Sequence, residues 1–207
     1  MEAASVHYSK VIPQRQSSDD PVQVVGLLGP SDFEYMITLL AISRLGHTVL
    51  LLSTRIAEDA YVSLIENTKA AFLITYPSFQ AVGERVASRT AIVQQPVLTS
   101  ENYDFPGADT LSLPPTQLEG SVEAKHICWI IHSSGSTGHP KPIYQTHAGA
   151  LKNYANNFGL RGFITLPLFH AHGISCLFRA MHSQKLIYLY NANLPLTAPH
   201  LLATLKD

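Results

Sequence analysis

The sequence lacks an apolar run of the roughly 18 residues that a membrane-spanning helix requires. It contains only two cysteines, Cys128 and Cys176, and both lie in apolar stretches, so buried free thiols in a reducing compartment are expected rather than a disulfide. The first residues, MEAASVHYSK, show no basic segment followed by an apolar one, and no signal peptide is predicted. These absences predict a cytoplasmic protein without a membrane partner.

The second part of the chain lacks internal carboxylates. Residues 1–123 carry 14 Asp and Glu against 7 Lys and Arg, whereas residues 124–207 carry 7 Lys and Arg and one carboxylate, Asp207. A region of this kind suits an anionic ligand, although two regions whose opposite charges face each other would explain the imbalance equally well. The lack of a dense Lys/Arg stripe disfavours nucleic acid as a partner.

Short apolar strands alternate with helices along most of this globular chain, of which 46% is hydrophobic and 14% charged. The predicted strands are 22–28, 48–52, 71–75, 91–93, 127–131, 142–144, 163–168 and 186–190. The predicted helices are 32–45, 57–68, 79–87, 147–158, 173–182 and 199–205, with Ser31 and Glu34 as a capping box for the first. The alternation predicts an α/β fold with parallel-sheet lobes covered by helices.

Proline and glycine are frequent between residues 96 and 123, which predicts a linker. We therefore expect a single domain, residues 1–207, with lobes 22–95 and 124–206 on either side of that linker.

The segment HSSGSTGHPK, residues 132–141, follows an apolar strand and has the composition of an anion-binding loop. Its glycines let backbone N–H groups turn inward, its hydroxyls can donate, and its lysine supplies a point charge. It matches neither a Walker A sequence nor a G-x-S-x-G nucleophile elbow. A Ser/Gly-rich surface turn is the alternative for a generic loop of this kind. The residues that could contact a phosphate in such a loop are Ser133, Ser134, Gly135, Ser136, Thr137, Gly138 and Lys141.

The full stretch HSSGSTGHPKP resembles the signature loop of adenylate-forming (AMP-binding) enzymes, which include acyl-CoA synthetases, luciferases and adenylation domains of nonribosomal peptide synthetases. The stretch SDFEYMITLLAISRLGHTVLLLSTRIAEDAYVSLIENT, residues 31–68, and the stretch LPLFHAHG, residues 166–173, resemble two further segments of that family in the same order. Two details are most similar to the fungal synthetase-like carboxylate reductases. They are the sequence HTVLLLS, residues 47–53, and Pro142, where most members of the family have glycine. The resemblance covers most of residues 22–206.

The resemblance implies a ligand and a reaction. In the family the loop wraps the pyrophosphate end of ATP while a carboxylate attacks the α-phosphate and gives an acyl-adenylate. ATP or AMP is then the expected cofactor, and a carboxylic acid or derived secondary metabolite the expected small-molecule partner. His170 matches the histidine of the family's P-L-F-H motif, and His172 would share its face if the strand extended that far. This His-x-His pair has no third ligand at a diagnostic spacing, so no metal site is predicted there.

The departures from the family limit what this chain is expected to do. The later family motifs supply a Glu for Mg²⁺, an Asp for the ribose, a glycine-rich pocket and a mobile domain with a catalytic lysine. Here the last glycine is Gly173, and no Asp or Glu occurs from residue 124 to 206. We therefore expect a truncated adenylation domain that keeps the phosphate-binding loop and part of the acid pocket but does not adenylate alone; magnesium binding is left open.

The alternative is a stand-alone biosynthetic enzyme that works without ATP. In that case His170 or His172 would act as a general acid or base on a small secondary metabolite. In either case an exposed sheet edge would remain, and a second copy of the chain or a partner protein is expected to cover it.

Overall fold

The computed structural model describes residues 1–133, 139–190 and 194–206. The described strands are β1 Val24–Leu28, β2 Thr48–Leu52, β3 Phe72–Thr75, β4 Val93–Pro96, β5 Ile127–His132, β6 Pro142–Thr146, β7 Gly162–Ile164 and β8 Ile187–Leu189. The described helices are α1 Glu2–Tyr8, α2 Phe33–Arg44, α3 Glu58–Thr68, α4 Gln80–Thr90, α5 Gly120–Glu123, α6 His147–Ala155, α7 Ala171–Ser183 and α8 Ala198–Lys206. None of these helices is both long and apolar enough to span a membrane.

A six-stranded sheet in the order β4-β3-β1-β2-β5-β6 forms the centre of the fold. Its first five strands are parallel, and β6 runs antiparallel to β5. Strands β7 and β8 form a separate parallel pair. The predicted α/β fold with mainly parallel sheets is confirmed.

Helices cover both faces of the large sheet because its central strands are apolar on both sides. In β2, Val49 and Leu51 belong to a core with residues of α1, α2, α6 and α7, whereas Leu50 and Leu52 belong to a core with residues of α3 and α4. All five residues of β2 are buried. The continuous apolar run therefore reads as a parallel strand buried on both faces.

Residues 96–123, the predicted linker, form no described strand apart from the end of β4. Their last residue, Glu123, is bound by Arg15. The guanidinium of Arg15, whose side chain is 1% exposed, donates to the Glu123 carboxylate at 2.7 and 3.1 Å. It also donates to the backbone carbonyls of Ser18, Asp20 and Gly46. The large sheet takes strands from both sides of this segment. The division of the domain into lobes 22–95 and 124–206 stays a prediction.

Two local predictions differ from the structure around Ser31. The N-cap of α2 is Asp32, whose carboxylate accepts the N–H of Tyr35 at 3.0 Å. The Ser31 hydroxyl instead accepts the N–H of Leu168 at 2.7 Å. Strand β7 ends at Ile164 rather than at residue 168. Further along, Pro167 has no N–H to give to a sheet, and Leu168 gives its N–H to Ser31.

A third local difference lies at the end of α4. Residues 91–93 were predicted as a strand, but Ala91 is the left-handed C-cap of α4, with φ of 55°. Strand β4 begins only at Val93.

Candidate functional site

The parallel strands β1, β2, β3 and β5 end at the same edge of the large sheet. Open parallel sheets place their ligands outside the carboxyl ends of the strands. Segment 133–141 begins directly after β5 and therefore starts at this edge.

The base of segment 133–141 is closed by two hydrogen bonds. The Ser133 N–H donates to the Lys141 carbonyl at 3.0 Å, and the Lys141 N–H donates to the Ser133 hydroxyl at 3.1 Å. The Lys141 side chain is exposed and takes part in none of the ion pairs of the described residues. The contacts predicted for Ser134, Gly135, Ser136, Thr137 and Gly138 fall outside the described residues and stay predictions.

His132, the last residue of β5, joins this segment to the neighbouring strand. Its Nε2 accepts the backbone N–H of Ser53 at 3.0 Å, so Nδ1 carries the hydrogen and donates to the Ser133 carbonyl at 3.2 Å. Burial lowers the pKa of His132, and the nearby His170 lowers it further, against the opposing effect of the bond to Ser133. The ring is therefore held neutral, in one tautomer, at the start of the loop. Sequence reasoning did not single it out as a site residue.

His170 and His172 lie at the start of α7 rather than on a strand. His170 is the N-cap residue of α7, exposed to solvent, and its ring centroid lies 5.1 Å from that of Phe169. His172 is also exposed, and its Nε2 lies 3.4 Å from the sulfur of Cys176. The condition for the two rings to share a strand face is not met, because β7 ends at Ile164. Their predicted catalytic roles stay predictions.

A cleft of about 410 Å³ lies beside this edge, between the ends of β1 and β2 and the small sheet. Its walls are mainly apolar, and Arg55 is the charged residue among its described lining residues. Neither His170 nor His172 is one of these residues, although Phe169 is. The lining consists of Pro30, Ser31, Thr54, Arg55, Phe79, Ile164, Thr165, Leu166, Pro167, Phe169, Leu189, Tyr190, Leu194, Pro195 and Leu196.

The described residues do not assemble a metal centre. Across residues 1–133, 139–190 and 194–206, no group of three or more His, Cys, Asp or Glu side chains is arranged to hold a metal ion. The carboxylate donors that magnesium prefers are also missing from the sequence between residues 124 and 206.

The fold and this edge define an α/β protein with a cleft at the carboxyl ends of its strands. The chain belongs to the AMP-binding enzyme family, whose model matches residues 19–207. The resemblance to adenylate-forming enzymes is thereby confirmed.

The relatives include fungal and bacterial members of this family. An adenylate-forming reductase of Aspergillus terreus is 34% identical over 164 residues, which cover 72% of this chain and 15% of that protein. A 2-succinylbenzoate–CoA ligase of Bacillus pumilus is 28% identical over 173 residues, which cover 80% of this chain and 33% of that protein. The chain thus spans a third or less of these relatives. The fungal match agrees with the predicted likeness to carboxylate reductases.

The fold is also that of solved members. The O-succinylbenzoate CoA synthetase of Bacillus subtilis, in complex with AMP, superposes with a TM-score of 0.73 at 18% identity. The match covers 99% of this chain and 50% of that chain.

Proposed function

We propose that these 207 residues form part of an adenylate-forming domain that binds the phosphates of ATP or AMP at segment 133–141. The observation that carries the proposal is the double hydrogen bond between Ser133 and Lys141 at the end of β5. It fixes the two ends of a segment rich in glycine and hydroxyl groups and places an exposed lysine at its exit. A segment of this composition can supply backbone donors, hydroxyl donors and one cation to an anion.

Two further observations support this ligand class. The neutral, hydrogen-bonded His132 holds the start of the segment against Ser53 at the end of β2, so the segment is anchored to two strands. The related synthetase of Bacillus subtilis was solved in complex with AMP. We extend that ligand to this chain as part of the proposal.

A carboxylic acid is the second ligand that we propose, in the cleft beside the loop. The apolar walls would hold the body of the acid, and Arg55 would attract its carboxylate. The cleft volume of about 410 Å³ is that of a small-molecule site.

The same residues are not expected to form an acyl-adenylate by themselves. Binding ATP equally in the ground state and the transition state does not accelerate the chemical step. Acceleration of phosphoryl transfer needs groups that meet the developing charge, and in many enzymes a metal held by carboxylates supplies them. Residues 124–206 contain no carboxylate.

A titration with ATP and pyrophosphate tests the phosphate site. Lys141→Ala should weaken binding by about tenfold or more, because a charge-assisted contact contributes roughly 1.5–3 kcal/mol. Lys152→Ala is the matched control, since Lys152 is an exposed lysine on α6 and should leave the affinity unchanged. Equal affinities of Lys141→Ala and the wild type would place the anion elsewhere.

The adenylation part is tested by exchange of labelled pyrophosphate into ATP. With magnesium and a panel of aryl, α-keto and amino acids, the 207 residues should show no exchange above the Lys141→Ala background. Exchange well above that background with any acid would contradict the proposal and reveal a metal site supplied from elsewhere in the chain.

The alternative, an ATP-independent enzyme with His170 or His172 as general acid or base, is less well supported. Both rings are exposed, and neither is among the described residues that line the cleft. A general acid or base must reach the proton that it transfers. We therefore prefer the adenylate-forming proposal.

We also propose that a second copy or a partner protein covers the edge of the large sheet at β6. Ile143 and Tyr144 on this edge strand are 49% and 51% exposed. Unpaired apolar edge strands favour association with another chain. Sedimentation velocity should show concentration-dependent association that Tyr144→Lys reduces; a wild type that stays monomeric alone and in cell extract would contradict this.

A further inference from the structure

A thiol and an imidazole lie together on α7, outside both the loop and the cleft. The sulfur of Cys176 and Nε2 of His172 are 3.4 Å apart, one helical turn from each other. Cys176 is half-buried and His172 is exposed, so solvent reaches the pair. The separation is that of a hydrogen bond to sulfur, along which a proton can pass from the thiol to the ring.

A groove of about 190 Å³ opens beside this pair and includes Cys176 in its wall. The aromatic and aliphatic side chains of Phe158 and Leu160 also line it, and they are 91% and 72% exposed. An apolar or aromatic body could lie against these side chains with its reactive atom at the Cys176 sulfur.

The groove is also positively charged. Arg179 lies in its wall, and its guanidinium donates to the neutral side chain of Asn153 at 3.1 Å, so the charge is not balanced by a carboxylate there. In the part of the chain that the structure describes, Arg179 forms no ion pair. No Asp or Glu occurs from residue 124 to 206. A positive field of this kind attracts anionic reagents.

We propose that Cys176 is a covalent modification site for small anionic disulfides with an apolar or aromatic body, and that His172 is the base that takes its proton. The thiol proton moves to Nε2 of His172, and the Cys176 sulfur attacks one sulfur of the reagent. A bond forms between these two sulfurs, the reagent's own S–S bond breaks, and its other half leaves as a thiolate. Cys176 is oxidised and the reagent is reduced, so no further oxidant is needed.

The second cysteine provides an internal reference. Cys128 is 4% exposed in the core, with its sulfur 3.2 Å from the Gln145 carbonyl oxygen. Burial raises the pKa of Cys128 to about 12. In the folded protein Cys128 should therefore be unreactive.

The test uses dithiobis-nitrobenzoate, a dianionic aromatic disulfide, on the folded 207-residue chain at pH 7. One equivalent of nitrothiobenzoate should be released rapidly, and the second only after unfolding in guanidinium. Mass spectrometry of the wild type should place the adduct on Cys176, which requires no variant. Cys176→Ser should abolish the rapid release.

The role of His172 is measured by the rate of the rapid phase. His172→Gln should slow it on the order of tenfold, because the thiolate is the nucleophile. His182→Gln, on the same helix, is the matched control and should react like the wild type. Neutral dithiodipyridine should show a weaker dependence on salt than the dianionic reagent, since salt screens only the charge attraction.

Three results would overturn the proposal. An adduct on Cys128 in the folded protein would show that Cys176 is not the reactive thiol. An unchanged rate in His172→Gln, with a native circular dichroism spectrum, would show that His172 is not the base. Equal salt dependence of the two reagents would remove the preference for anions.

Discussion

Residues 1–126 pair many of their charges with one another, whereas the described residues from 139 to 206 form no ion pair at all. The second region also exposes more large apolar side chains than the first. Among the residues whose side chains the structure describes, 16 large hydrophobic residues are exposed, of which 5 precede residue 124 and 11 follow it. The first region pairs more of its charges and exposes fewer large apolar side chains, while the second presents more unpaired cations and apolar side chains to solvent. Exposed apolar side chains of this kind are typical of surfaces that contact ligands or other chains, which is the role proposed above for parts of the second region.

The largest expected effect separates the two regions by stability. Leu50 in the centre of β2 is fully buried, and Leu50→Ala should lower the free energy of unfolding by about 2–5 kcal/mol. Leu160 is 72% exposed, and Leu160→Ala should change it by less than about 0.5 kcal/mol. Urea unfolding followed by circular dichroism measures both. Similar losses for the two variants would break the comparison.

The next effect concerns the ion pair between Arg15 and Glu123 in the first region. Burial alone would raise the pKa of Glu123, but hydrogen bonds from Arg15, Ser18 and His126 outweigh it and lower the pKa from 4.5 to about 2. Because the folded value lies below the unfolded one, this stabilisation is complete above about pH 5 and is lost as the pH falls towards 2.

Glu123→Gln tests this ion pair. It should lower the free energy of unfolding at pH 7 by about 2–3 kcal/mol and flatten its fall below pH 5. Urea unfolding at a series of pH values measures both quantities, with Glu101→Gln as the control because Glu101 is exposed. An unchanged acid slope in Glu123→Gln would show that the pair contributes nothing.

The smallest effect lies where the two regions meet. His170 lowers the pKa of His132, in addition to the larger effect of burial. His170→Gln should therefore raise the pKa of His132 towards its ordinary value, as followed by NMR titration of the imidazole signals. Since a lowered histidine pKa costs stability as the pH falls below about 6.5, the variant should also lose less stability in that range. A pKa of His132 that is unmoved would place the two rings too far apart to interact.

The elements that sequence reasoning predicted well are those with unbroken apolar runs and clear ends. Strand β2 and helix α2 were placed within one residue at either end, since both are strongly apolar and Gly46 closes the helix with a positive φ. The capping-box pattern of Ser31 and Glu34 predicts Ser31 as the cap of α2, but Asp32, the observed cap, is an equally good cap by composition. Only the distant contact with Leu168 decides between them, and no local pattern reports it.

The candidate site was only partly open to prediction. Its loop follows from motif chemistry, but the bond between His132 and Ser53 joins residues 79 positions apart and depends on the pairing of β5 with β2. The contact of His172 with Cys176 had a sequence signal, because residues four apart meet on a helix. It was missed because the helix was expected to begin at Gly173, whereas α7 begins at Ala171.

The pairing of Val49 with Trp129 also sets an order of events during synthesis. Until the ribosome has released β5, strand β2, whose five residues are all buried in the fold, has an open edge on one side. Such an edge is where a nascent chain pairs with a neighbour and aggregates. While residues 53–126 are being synthesised, the incomplete sheet must therefore avoid pairing with other chains through the free edge of β2. Slowing translation within that stretch should lower the yield of native protein more than slowing it after β5.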